Sequence, residues 1–230
     1  MKNLNMRSLT LFFVGILVFA TTGYAQTLKD SASIMQVRKE PRHHDVVDNQ
    51  WVRILDVHLP PGDTTFYHKH STPSVFLVLG NTKTGSQALI EPRHRTFDKE
   101  DIWFEDFTDT PRIHRVWNAD KVPFHTIDIE LPHPPSANFV GVSLPSSELL
   151  FDARQVLAYR MKLPSNMAFT LKVAPCPFVV VFLSGNGAEG SVSNKPLMAK
   201  GDFAFVAAGE PLTIKNAGTK EAQFAVFEIK

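Results

Sequence analysis

The sequence predicts an all-β protein made of two tandem halves, and three observations carry that prediction. Short runs of branched and aromatic residues recur from Val46 onward, separated by Gly, Pro, Asn and Asp; this is the texture of a β-sandwich or barrel. No stretch carries the 3.6-residue apolar period of a helix, apart from a short turn expected near Ser146 to Leu150. Landmarks of the first half return in the second after about 100 residues.

Residues 1–25 are expected to be a signal peptide. Lys2 and Arg7 form a positive start, Leu9 to Ala20 an apolar run, and Gly23-Tyr24-Ala25 a small-residue cleavage site before Gln26. The apolar run is shorter than the roughly 20 residues that a membrane span needs, and no cysteine stands at the cut for lipid attachment. The expectation is an exported bacterial protein, periplasmic or secreted, with no membrane span in the mature chain. Cleavage leaves 22 basic against 23 acidic residues, a balance that does not favour nucleic acid or an anionic membrane as partner. Cys176 is the only cysteine. No internal disulfide can form, so stability must come from an apolar core, in which Cys176 is expected as a small buried hydrophobe.

Residues 26–45 form a polar lead-in containing His43-His44. Adjacent strand residues face opposite ways, so this pair is expected on a surface loop or lead-in strand. Strands follow at Trp51 to Leu59, Ser74 to Leu79, Gln87 to Glu91, Ile102 to Phe107, Ile113 to Asn118 and Phe124 to Leu131, each stopped by turn residues. Arg93-His94-Arg95 is expected at a solvated hairpin tip. Pro132-His133-Pro134-Pro135-Ser136 marks a linker over 132–138, with His133 on a surface loop. The first half is thus 46–131 and the second 139–230. Leu59-Pro60 recurs as Leu163-Pro164, and Val78-Leu79-Gly80-Asn81 loosely as Leu183-Ser184-Gly185-Asn186. Asn118 and Glu130 recur as Asn216 and Glu228, twelve residues apart in both halves.

The chemistry lies in the first half. His68-Lys69-His70 follows the turn Pro60-Pro61-Gly62 on an extended segment. Period-2 alternation puts both imidazoles on one face, with Lys69 turned away. His114, in Ile113-His114-Arg115-Val116-Trp117-Asn118, supplies a third ligand from another strand. No histidine follows His133. The stretch matching His68 to His70 is Thr170-Leu171-Lys172-Val173-Ala174, and Leu212 matches His114, so the second half has apolar residues where the first has ligands. His58 is expected to face outward, since Leu55, Val57 and Leu59 form the apolar face. His125 and Glu130 fall on opposite faces of one strand, and the recurrence of Glu130 as Glu228 marks it as structural. Tyr67, Trp103, Phe104, Phe107 and Trp117 are candidates to line a pocket. The chain has no phosphate-cradling glycine loop, nucleophile elbow or zinc-type cysteine pair.

These motifs resemble those of the cupin superfamily, in particular of a two-domain bicupin. Gly62, five residues, His68-Lys69-His70, three residues, Ser74, five residues and Gly80 follow the first cupin motif, and His114, three residues and Asn118 end the second. The chain departs from the pattern at two places. Asp109-Thr110-Pro111 stands where Pro-x-Gly precedes the second-motif histidine, and Ser74 stands where a glutamate usually completes the metal site. The resemblance implies two tandem double-stranded β-helix (jelly-roll) barrels, the second degenerate, with one divalent transition metal held by His68, His70 and His114. The candidates are Fe, Zn, Ni, Mn or Cu, and three neutral imidazoles plus water suit Zn, Fe, Ni or Cu better than Mg or Ca. The function expected is a metal-dependent enzyme acting on a small molecule. The alternatives are a non-catalytic small-molecule or sugar-binding cupin, or a structural or interaction domain. Partners are then a small ligand and either a second copy in a homodimer or the second barrel packed within one chain.

Overall fold

A computed structural model describes residues 34–80, 83–89, 101–183 and 189–230. The expected signal peptide, the first part of the lead-in, the Arg93-His94-Arg95 tip and the turn Ser184-Gly185-Asn186 lie outside the described residues.

The first half contributes β1 (Met35–Gln36), β2 (His43–Asp48), β3 (Arg53–Leu59), β4 (His68–His70), β5 (Ser74–Val78), β6 (Thr84–Ala88), β7 (Ile102–Glu105), β8 (Arg112–Asn118) and β9 (Phe124–Glu130). The second contributes β10 (Ser147–Asp152), β11 (Val156–Leu163), β12 (Ala168–Leu171), β13 (Phe178–Phe182), β14 (Gly190–Val192), β15 (Lys195–Leu197), β16 (Phe203–Val206), β17 (Leu212–Asn216) and β18 (Ala222–Ile229). One 3-10 turn, Val37–Lys39, lies between β1 and β2. Where a short turn was expected near Ser146 to Leu150 the chain forms strand β10. Ser146 adopts φ 56° at its start, and β11 supplies the pairing partner. The strand expected at Gln87 to Glu91 lies earlier in the chain, at β6, where β8 fixes its register from Thr84↔Asn118 to Ala88↔His114.

Each half is a pair of sheets. The five-stranded orders β2-β3-β9-β5-β7 and β10-β11-β18-β13-β16 are equivalent strand for strand, and β4-β8-β6 corresponds to β12-β17-β14. Among the described residues the sheets are not closed by hydrogen bonds into barrels. Each half is an open two-sheet jelly roll, an arrangement that manages its edges without full closure.

The duplicated asparagines explain part of this equivalence. Asn118 Nδ2 donates to the carbonyls of Leu59 and Val122, while Asn216 Nδ2 donates to those of Leu163 and Lys220. In both halves one buried amide ties the end of one strand to the start of the next. The glutamates recur as buried residues with different partners: Glu130 pairs with Arg53 at 2.6 Å, and Glu228 accepts from the Val142 amide at 2.9 Å.

The halves share a core. Ile54, Val75, Leu77, Ile127 and Ile129 of one five-stranded sheet form a single buried cluster with Val156, Ala158, Val179, Val181, Ala225 and Phe227 of the other. Each fully buried branched side chain of this kind is worth roughly 1.5–3 kcal/mol. The two sheets therefore pack back to back with the weight of a domain core rather than of a loose domain contact. The intervening segment is tied down: Gln155 Nε2 donates to the carbonyls of Leu131 and His133, and the His133 ring lies 4.1 Å from Trp51.

The interiors of the halves differ as their sequences do. The second is filled by Met161, Phe178, Val180, Phe182, Leu212, Phe224 and Val226. Packing there is so close that a Cβ on Gly190 would lie 2.8 Å from the Phe182 ring. Cys176 belongs to this core, and burial drives its thiol up to about 12, with the nearby Glu228 charge adding to the effect. The first half keeps a cavity of about 130 Å³ between its sheets.

Candidate metal centre

The cavity is where the three histidines meet. β4 and β8 pair antiparallel with His68 directly opposite His114, and alternation along β4 turns His70 to the same side as His68. All three side chains are buried, and one ring nitrogen from each lies within 4.8 Å of the others.

The hydrogen bonds identify which nitrogens converge. His68 Nδ1 is 2.9 Å from the Phe66 carbonyl, which makes it the protonated nitrogen and leaves Nε2 as the acceptor. His114 Nδ1 is held 2.9 Å from Ser86 Oγ. His70 Nδ1 faces Asp128 Oδ2 at 3.6 Å. The Nε2 atoms of His70 and His114 are 3.1 Å apart, and His68 Nε2 is buried without a hydrogen-bond partner among the described residues. Two nitrogens on one tetrahedral zinc are separated by about 3.3 Å. Three inward Nε2 atoms, each with its Nδ1 facing an oxygen, form the pattern of a metal-ligating imidazole set and its outer supports.

Electrostatics supports the same assignment. Burial lowers His68 to about 3, with repulsion from His43 adding to the effect. Burial likewise holds His70 and His114 well below the ordinary imidazole range, with the charge of His68 as the next cause. All three are neutral donors at pH 7, the state that a metal requires. The residues present therefore fit a divalent transition metal, with Nε2 of His68, His70 and His114 as its ligands.

Two neighbours extend beyond the expected triad. Asp128, on β9, is 1% exposed, and neither carboxylate oxygen has a hydrogen-bond partner among the described residues. Burial pushes this carboxyl well above the usual range, and the charge of Glu130 adds to the shift. Ser74, where a glutamate ligand would stand, turns its hydroxyl to the Thr72 carbonyl at 3.1 Å. The acidic group of the cavity thus comes from the neighbouring strand. Its signal in the sequence was parity: Asp128 lies two residues from Glu130 and two from Thr126, on the inward face of β9. His43 was expected at the surface with His44. His44 is exposed, but His43 is buried, with its ring 4.7 Å from that of His68. The reason is Glu40, a buried carboxylate that holds His43 Nδ1 at 2.9 Å and also accepts from the amides of Arg42 and Phe66.

The remaining walls are apolar on one side and polar at one edge. Phe76 stacks on Trp103 at 5.3 Å, and Phe107 stands edge-on to Phe76 at 6.1 Å. Of the aromatic candidates, Trp103 and Phe107 line the cavity. Phe104 packs into the core shared by the halves, and Tyr67 lies beneath the Arg115 guanidinium at 4.8 Å. Trp117 is buried but does not reach the cavity wall, whereas Phe76, taken in the sequence only as part of an apolar run, does. At the polar edge Arg112 donates to Glu105 at 3.2 Å and to Ser86 Oγ at 3.3 Å, which links Glu105, Arg112, Ser86 and His114 in a chain. His58 and His125 lie on the opposite face of the sheet, as their parity requires.

No protein-family model and no curated protein matches the chain. Solved structures do. A variant of salicylate 1,2-dioxygenase from Pseudoaminobacter salicylatoxidans in complex with gentisate aligns over 90% of this chain and 79% of its own, with TM-score 0.59 at 11% identity. The bacterial pirin YhhW from Escherichia coli in complex with nickel(II) covers 77% and 82%, with TM-score 0.55 at 14% identity. A cupin 2 conserved barrel domain protein from Leptotrichia buccalis covers 81% and 88%, with TM-score 0.51 at 14% identity. Identities this low speak to architecture. That architecture, reached from the strand orders and from the structures the chain resembles, is the fold of the cupin superfamily.

Proposed function

We propose that this chain is an exported bicupin whose first half is a metal-dependent enzyme acting on a small molecule, with oxygenation as the reaction class. The observation that carries the reading is the convergence of the His68, His70 and His114 Nε2 atoms in a cavity walled by Phe76, Trp103 and Phe107. His68, His70 and His114 would hold a divalent transition metal, which would supply Lewis-acid and redox chemistry to a substrate in the cavity. The chain's own residues do the rest. The Phe66 carbonyl fixes the His68 tautomer, Ser86 holds the His114 ring in place, and Asp128 stands behind His70. The aromatic wall excludes water, and Arg112 at the rim offers a cation to an acidic substrate that displaces Glu105. Size limits the ligand. About 130 Å³ is close to the roughly 150 Å³ of an apolar cavity that takes benzene, so a single ring fits and a fused pair does not. The gentisate bound by the dioxygenase of like fold is a ligand of that size.

The test is metal analysis of protein never exposed to chelator, followed by oxygen uptake with the Fe(II)-loaded chain and a panel of single-ring hydroxy acids. The expected result is about one metal removed by His114→Ala, and substrate-dependent oxygen uptake lost with it. A native chain carrying no metal in this site, with no uptake after loading, defeats the proposal. The alternative of a non-catalytic binding cupin is favoured by Ser74, which withholds the usual carboxylate ligand. It predicts thermal stabilisation by the same acids without oxygen uptake. Export is tested by N-terminal sequencing of the protein from a periplasmic fraction, with Gln26 expected first.

A further inference from the structure

A second cluster of metal-binding side chains lies on the outer face of the same sheet, away from the cavity. Asp56 and His58 are two residues apart on β3 and share a face. His125 stands directly opposite His58 on β9. One donor atom from each of the three lies within 4.8 Å of the others. His125 Nε2 is 2.7 Å from Asp56 Oδ1 and His58 Nε2 is 3.1 Å from Asp56 Oδ2, so one carboxylate bridges two imidazoles. The two rings stack with centroids 4.0 Å apart and planes inclined by 21°.

This face continues the core that joins the halves, since Ile54 and Ile127 on the same strands belong to it. The cluster therefore sits at the rim of the junction, in a groove whose far wall is the Lys195 to Phe203 region of the second half. That wall positions one of the ligands. Gly201, at φ +94°, approaches so closely that a Cβ there would lie 2.8 Å from His125 Cε1 and 2.6 Å from Leu79, so the backbone is pressed against the imidazole. The groove also contains Lys195, whose ammonium lies over the Phe203 ring, Lys200, and Asp202, whose carboxylate accepts from the Met198 and Ala199 amides. His44, paired across from Asp56, brings a further exposed imidazole near His58, with ring centroids 6.4 Å apart.

We infer that Asp56, His58 and His125 form a second site for a divalent transition metal, with its open positions facing the solvent groove between the halves. Two imidazoles and one carboxylate select borderline ions such as Zn(II), Ni(II) or Cu(II) over Mg(II) or Ca(II). The geometry needs little change on loading. The two imidazole–carboxylate contacts already gather the donors, and a neutral imidazole that gives Nε2 to the ion carries its one proton on Nδ1 instead. Burial raises the Asp56 carboxyl, but hydrogen bonds from His125 and His58 outweigh it and leave the group below its ordinary value. This site is independent of the buried triad and does not rest on the proposed oxygenase activity.

The experiment is equilibrium dialysis of the full chain against Zn(II), with zinc per chain read by elemental analysis. Wild type is expected to hold two equivalents, His114→Ala one, His58→Ala one, and the double variant none. His125→Ala, which removes the other imidazole, should lose the same surface equivalent. His58→Gln, which keeps a polar side chain of similar length, guards against a folding defect and should lose the same equivalent. Cu(II) bound to His114→Ala should show imidazole nitrogen coupling by electron paramagnetic resonance, lost in His58→Ala/His114→Ala. If His58→Ala and His58→Gln retain every equivalent bound by the wild type, the surface site does not exist. If only His114→Ala retains them all, the buried site fails and the surface site stands.

Discussion

Replacing Asp128 by valine should move stability and metal affinity in opposite directions. The substitution copies the second half: Asp128 lies opposite Phe76, and the equivalent position, opposite Val180, is Val226. Asp128 is 1% exposed, and because the nearby Ser74 hydroxyl is turned to the Thr72 carbonyl, neither carboxylate oxygen is hydrogen-bonded among the described residues. A buried polar atom without a partner costs roughly 1–3 kcal/mol, and an apolar group of similar shape removes that cost. For a chain of this length each kcal/mol shifts the melting temperature by about 2–4 °C. Metal-free Asp128→Val should therefore melt several degrees above the wild type. Metal affinity should fall, because His70 Nδ1, 3.6 Å from the carboxylate, loses the group that orients its ring. Losing such an outer support costs about 10–100-fold, or roughly 1.4–2.7 kcal/mol. Scanning calorimetry of the chelated protein reads the first effect, and competition with a chromophoric chelator reads the second. Asp128→Asn, which keeps the shape and an acceptor oxygen, should recover part of the affinity. An unchanged metal affinity in Asp128→Val would sink the claim that this carboxylate positions His70.

Further outcomes follow from the same geometry. Asn216→Ala removes donors to the carbonyls of Leu163, Pro164 and Lys220 and leaves buried acceptors unmet. A loss of about 2–3 kcal/mol is expected by urea denaturation, and a loss below about 0.5 kcal/mol would refute the role given to it. Phe178→Ala, at a fully buried side chain of the second half, should cost about 3–5 kcal/mol by the same assay while metal binding in the first half is retained. Acid stability should depend on Glu40. Burial raises its pKa, but His43 and the amides of Arg42 and Phe66 more than reverse this, and the carboxyl falls from 4.5 to about 2. A folded value below the unfolded one gives stability that is complete above pH 4.5 and lost as pH falls toward 2. The upper limit is about 3 kcal/mol. Glu40→Gln should flatten that part of the stability profile, and an unchanged slope between pH 4.5 and 2 would remove Glu40 as its cause.

The sequence was most legible where a single strand decides the geometry. His68 and His70 face one way because alternation along β4 leaves no choice, and the following Gly80 and Asn118 pinned the motif. The duplication was legible for a related reason: Asn118 and Asn216 make the same carbonyl contacts, so the constraint acted identically on both halves. What escaped depended on pairings between strands. His43 and His44 alternate, and only the β2–β3 register, with its irregularity between Asp45 and Val47, together with the buried Glu40, decides which ring turns inward. Asp128 was overlooked because His125 and Glu130 drew the attention on its strand, and only the sheet register sets Asp128 beside His70. The neighbouring strand supplies the acidic group, and neighbourhood across a sheet is not written in sequence order. Strand β10 was taken for a turn because its apolar residues cluster at Leu149 and Leu150. Its pairing with β11 outweighs that local pattern.

The back-to-back packing of the two five-stranded sheets has a consequence for dilution. A lone first half would present Ile54, Val75, Leu77, Ile127 and Ile129 to solvent and would need a second molecule to cover them, so its integrity would fall with concentration. Here the covering surface is tethered through residues 131–147 and meets its counterpart at an effective concentration in the millimolar range, as short linkers provide. Melting of the histidine-bearing half should therefore be unchanged over a thousandfold dilution. The histidine-lined cavity between the sheets of the first half thus stays assembled however few copies surround it.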